Sequence, residues 1–171
     1  IGEALKYSFS EKLPNKDSEG ITKKIINELT DYGKGILDVE KALNNIDEEI
    51  ELYLILINQY FDDYGSKLDE IKNVFQNNIG NDEDKFKISE GFEKEFSNVS
   101  HKIYDKMIFI SHKLVTASAN IGAYKLSSFS KQIENMLNEE KELDNQLYVS
   151  FIDEYIKINK CISEIKKKYE L

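Results

Sequence analysis

Arginine is absent from this chain of 171 residues, so all 23 basic side chains are lysines, set against 32 Asp and Glu for a net charge of −9. A nucleic-acid binder usually carries a basic face to neutralise phosphates, and an anionic membrane surface asks for the same; this balance argues against both. The single cysteine, Cys161, allows no intrachain disulfide framework and no cysteine-based metal site. With only His101 and His112 as histidines, a zinc site would have to lean on carboxylates. No apolar run approaches the roughly 18 residues that span a bilayer, and the start of the sequence lacks the charged-then-apolar pattern of a signal peptide. The expected setting is cytoplasmic, with no membrane and no nucleic-acid partner. Proline occurs once, at Pro14, and glycine eight times, so long segments run without a breaker.

Those segments carry a helical period. Ile50, Leu54, Ile57, Phe61, Tyr64, Leu68, Ile71 and Phe75 recur at alternating three- and four-residue steps. A second stripe runs through Ile103, Met107, Ile110, Leu114 and Ala117, and a third through Leu126, Phe129, Ile133 and Met136. The last comprises Leu147, Phe151, Tyr155, Ile158, Ile162, Ile165 and Tyr169. Four amphipathic helices with narrow seams predict an all-α fold, an antiparallel up-down four-helix bundle. Residues 19–32 and 36–44 read as additional short N-terminal helices. Residues 1–34 are expected to form an extension packing on or leading into a bundle at 35–171. "NIGA" (120–123) closes one helix, with Gly122 suited to the left-handed position beyond its C-terminus. "NEEKELDN" (138–145) is a polar connection, and the 76–90 link is longer than a bundle requires.

His112 stands out because it sits inside a helical pattern yet off its apolar stripe. On an ideal helix the stripe residues fall within roughly 40° of the direction opposite His112, so the imidazole should face away from the core. A histidine satisfied inside the core is thereby excluded. Around it on the outward face lie Ile108, Phe109 and Val115. Two readings stay open on periodicity alone: these apolar side chains form a docking patch, or another element such as the N-terminal helices covers them. His101 has polar neighbours (Asn98, Lys102, Asp105) and reads as incidental.

The stretch "SHKLVTASANIGAYKLSSFSKQIENM" (111–136) resembles the signature of histidine phosphotransfer (HPt) domains, relay modules of multistep two-component phosphorelays. His112, Leu114, the small run Ala117, Ser118 and Ala119, and then Gly122 match that signature in register. Glu134 sits where the family often has a glutamate. "GILDVEKAL" (35–43) and "ELYLILINQYFDDY" (51–64) are similar to the family's opening helix and first bundle helix. The resemblance covers about residues 35–171. It implies a non-enzymatic phosphoryl carrier without an ATP-binding kinase core, His112 being the phosphoryl-accepting residue. It also implies a phosphoryl neighbourhood of Lys113, Val115 and Thr116, and docking of receiver domains, from a response regulator or a hybrid histidine kinase, on Ile108, Phe109, Val115 and Ala119. No cofactor is expected on this chain, Mg²⁺ being supplied by the receiver, and the carrier is expected to be a monomer. Val115 and Thr116 depart from the family's Lys and Gly. The lysine is thought to balance phosphoryl charge, and the glycine to leave room for the receiver. Two alternatives follow: a degenerate HPt-like adaptor that binds receivers without accepting phosphate, and a sensory or interaction bundle, which would need a buried polar pocket that the apolar stripes do not suggest.

Overall fold

The computed structural model describes the backbone of residues 18–76, 93–141 and 143–171. Over these residues the chain is all-helical: α1 (Ser18–Gly33), α2 (Val39–Asn44), α3 (Ile50–Tyr60), a π-helical turn (Phe61–Gly65), α4 (Leu68–Gln76), α5 (Glu93–Asn120), α6 (Tyr124–Asn138) and α7 (Asn145–Tyr169). Residues 1–17 and most of the long 76–90 link lie outside the described residues. So does the side chain of His101, although its backbone belongs to α5.

Local chemistry sets several helix ends. The Asp144 carboxylate accepts from the backbone N–H of Gln146 (2.6 Å) and Leu147 (3.1 Å), satisfying donors that α7 leaves open at its start. Three lysines, Lys166 to Lys168, fill the last turn of α7, where the helix dipole favours cations. Between α5 and α6 the backbone closes with two bonds, Gly122 N–H to the Ala119 carbonyl (3.0 Å) and Ala123 N–H to that of Ser118 (2.8 Å). This is the Schellman pattern, with Gly122 at φ 82° as expected from the sequence.

Apolar burial follows the sequence stripes closely on α7, where Phe151, Tyr155, Ile158, Ile162 and Ile165 are all buried. Phe75 from α4 stacks on Phe151 (5.6 Å between ring centroids) and on Tyr148 (6.1 Å). Leu126, Ile133 and Leu137 of α6 and Leu54 and Ile57 of α3 join the same core. From α3, the Tyr53 hydroxyl donates to the Ile121 carbonyl (3.0 Å), tying that helix to the α5–α6 turn. Helix α1 buries Leu29 and lies on α7: the Cys161 thiol donates to the Tyr32 carbonyl (3.3 Å), and the Tyr169 hydroxyl to Glu28 (3.2 Å).

Three sequence expectations are corrected. The stripe from Ile50 to Phe75 predicts one unbroken helix, but the structure interrupts it at Phe61–Gly65. Gly65 and Ser66 are poor helix formers, and the stripe residues on both sides of the break still reach the core, Leu54 and Ile57 before it and Ile71 and Phe75 after it. Among the described side chains of α5 the buried positions are Met107, Ser111, Leu114 and Ser118, while Ile110 and Ala117 are only partly buried. The core direction is thus roughly 130° from His112 rather than opposite it. Finally, the stripes suggested few polar core positions, yet Ser111, Ser118, Ser130, Glu134 and Glu154 are all buried. Ser130 donates to the Leu126 carbonyl (2.8 Å) and the two carboxylates gain lysine partners. Ser111 and Ser118 are buried by their small size, without a hydrogen bond to their hydroxyls among the described residues. None of these is visible in a purely apolar pattern. No described helix is long and apolar enough to cross a membrane.

Candidate functional site

The tight turn at 121–123 folds α6 back along α5 as an antiparallel hairpin. Its register is visible in two pairings, Ser127 Oγ donating to the Val115 carbonyl (2.7 Å) and His112 facing Glu134. His112 projects from α5 with 70% of its side chain exposed, whereas the Glu134 side chain is 9% exposed. Glu134 Oε1 lies 2.8 Å from His112 Nδ1, and its other oxygen, Oε2, is 2.9 Å from the Lys131 ammonium. The ammonium, then the imidazole, hold the Glu134 carboxyl below its usual pKa range despite burial, which alone would raise it. Ionised, Glu134 can only accept, so in the neutral imidazole the proton sits on Nδ1. Nε2 then carries the lone pair. Among the described residues it has no hydrogen-bond partner, and the ring around it is open to solvent.

One side of the imidazole borders a groove of about 450 Å³. Leu56, Gln59, Tyr60, Asp63 and Tyr64 form its first wall; His112, Lys113, Thr116, Ala117 and Asn120 form the second. The π turn shapes the first wall. It is anchored from α7 by the Tyr155 hydroxyl, which donates to the Tyr64 carbonyl. Lys166 assists from the same helix, reaching Asn58 and, at 3.2 Å, Asp62, with its ammonium 4.6 Å from the Phe61 ring centre. A smaller adjoining cleft of about 200 Å³ includes Lys67, Ile110 and Phe109 and the ion pair of Lys106 with Glu70 (2.8 Å).

The residues singled out from the sequence fall into two groups. His112, Lys113 and Thr116 are exposed and share the groove. Lys113 does not reach toward Glu134; its ammonium rests 4.4 Å from the centre of the Phe109 ring. Phe109, 56% exposed, is the apolar side chain of this face that stands clear of the fold. Ile108 is partly buried against the core, and Val115 and Ala119 are half-buried, Val115 lying beside α6 through its carbonyl bond to Ser127. The outward apolar face is therefore narrower than the sequence suggested. Helix α1, which the sequence left as a candidate cover, lies on α7 instead. Lys131 was not singled out, although the K-x-x-E spacing before Glu134 is a readable helical i,i+3 pair.

Among the described residues no group of three or more His, Cys, Asp or Glu is placed to hold a metal ion. Comparison with known family models, with curated proteins and with solved structures finds no match.

Proposed function

We propose that this chain is an HPt-type phosphoryl carrier that exchanges a phosphoryl group between His112 and aspartates of receiver domains. In this reading the α3–α4 segment, α5, α6 and α7 make up the up-down four-helix bundle, and α1 and α2 are additions to it. The observation that carries the proposal is an exposed imidazole whose Nδ1 is held by a buried carboxylate. That arrangement directs the lone pair of Nε2 outward without any further catalytic group. A receiver aspartyl phosphate brings a good leaving group and its own Mg²⁺, so a presented nucleophile is enough. Nε2 attacks phosphorus, the Nε2–P bond forms, and the P–O bond to the aspartate breaks, the carboxylate leaving with the electron pair. Nδ1 keeps its proton, so the phosphorylated ring bears a positive charge opposite Glu134.

The test is incubation with receiver domains charged by acetyl phosphate in Mg²⁺, followed by assay for acid-labile, base-stable label. The native chain and His101→Gln should become labelled, and His112→Gln should not. Label retained by His112→Gln overturns the assignment. The adaptor reading draws on Thr116, whose exposed side chain shares the groove with His112; receiver binding without any label on the native chain would favour it.

A further inference from the structure

Glu134 has two oxygens with two different partners. Oε1 faces His112 Nδ1 at 2.8 Å, and Oε2 meets the Lys131 ammonium at 2.9 Å. A carboxylate largely withdrawn from water must find compensation, and a neutral imidazole offers it only a hydrogen bond. The charged compensation comes from Lys131. The nearby Lys113 is turned onto the Phe109 ring, and Lys125 and Lys157 pair instead with Glu154, at 3.9 and 3.7 Å.

Phosphorylation sharpens this requirement. A phosphoryl group on Nε2 would bring about −2 of charge to a ring already backed by the Glu134 carboxylate. The position at which the HPt resemblance places a lysine holds Val115. We propose that Lys131 is a positioning residue for phosphoryl transfer, acting through Glu134: it keeps the carboxylate oriented on Nδ1 and neutralises it, removing a repulsion toward the incoming phosphoryl group that position 115 has no cation to offset. This rests on the reading of His112 as the phosphoryl acceptor. The other ionisable groups facing the ring are Lys113 on its own helix and Asp63, Tyr60 and Tyr64 across the groove. Of these groups, Lys131 is the cation in contact with Glu134.

The test uses the whole chain with phosphoramidate as donor, so no cognate receiver is needed. Nε2 attacks phosphorus and the P–N bond breaks, ammonia leaving with the electron pair. Formation of phosphohistidine is followed by phosphorus NMR. Lys131→Met should slow labelling about tenfold, in the range of one charge-assisted hydrogen bond, and Lys131→Arg should restore most of the rate. In a Glu134→Gln background, Lys131→Met should slow labelling no further. An unchanged rate in Lys131→Met overturns the proposal, as does a full additional slowing in the Glu134→Gln background. A native chain that takes no label at His112 removes the carrier reading and the role of Lys131 with it. A labelled native chain with an indifferent Lys131→Met variant removes the role of Lys131 alone.

Discussion

Glu134 shows how much a single residue can concentrate. It is buried, yet it stays ionised because an ammonium and an imidazole share its two oxygens. Its depressed pKa carries a stability consequence with a definite sign. The carboxylate's contribution is fully present above the unfolded-state pKa and is lost as pH falls through the lower, folded-state value. The thermal unfolding midpoint should therefore decline as pH is lowered through and below the ordinary carboxylate range. A Glu134→Gln variant should show a shallower decline over the same interval. Calorimetry across that interval checks this, and equal slopes for the two proteins would assign the acid sensitivity to other carboxylates. Cys161 is the opposite case: burial pushes its thiol up to about 11, and with its bond to the Tyr32 carbonyl it acts as a small core side chain rather than a nucleophile.

At the scale of elements, the α5–α6 turn places Glu134 in reach of His112, and Gly122 makes the turn fit. A Cβ there would lie 2.5 Å from the Asp38 carbonyl oxygen, and the residue's φ of 82° is a conformation that side chains disfavour. The Gly122 carbonyl also accepts from the Asp38 N–H (2.9 Å), so the turn and the α1–α2 loop meet backbone to backbone. Gly122→Ala should cost about 3 kcal/mol, strain and forced separation acting together, read as a lower denaturant midpoint at unchanged m-value. A loss below about 0.5 kcal/mol, the ordinary range of surface changes, would mean that the loop gives way easily. The π turn acts on the facing wall. It sets Asp63 and Tyr64 beside the imidazole while α7 holds its backbone in place.

For the whole molecule, the question is which surface a partner can use without unfolding the protein. Ile108 contributes to the core from its edge, whereas Phe109 stands in solvent under the Lys113 ammonium. Phe109→Ser should leave the unfolding midpoint within the spread of ordinary surface changes; under the proposed carrier function it should also weaken binding of a receiver domain by at least tenfold, as expected for an aromatic anchor. Ile108→Asp should instead lower the midpoint clearly, because it sets a charge against apolar packing. Differential scanning fluorimetry with calorimetric titration separates the two. A Phe109→Ser variant that binds normally would place receiver docking elsewhere.

How legible the protein was from its sequence differs between these scales. The all-helical class, the apolar seam of α7, the turn at Gly122 and the outward direction of His112 were all determined by the sequence. Each depends on spacing along one helix or on the conformational freedom of one residue, and both are local properties. The break at Phe61–Gly65 was not legible, because apolar residues recur at helical spacing straight through it. Nor were Ser111 and Ser118, whose polarity conceals their burial. The HPt resemblance pointed to Glu134, and its pairing with Lys131 is an i,i+3 spacing within α6, but the contact of Oε1 with His112 was decided only when α6 folded back on α5. Tertiary structure also decided that Val115 lies beside α6 while Phe109 stays free. A sequence ranks residues by direction around their own helix, whereas contact depends on where the next helix lies, and that is set by packing between elements far apart in the chain.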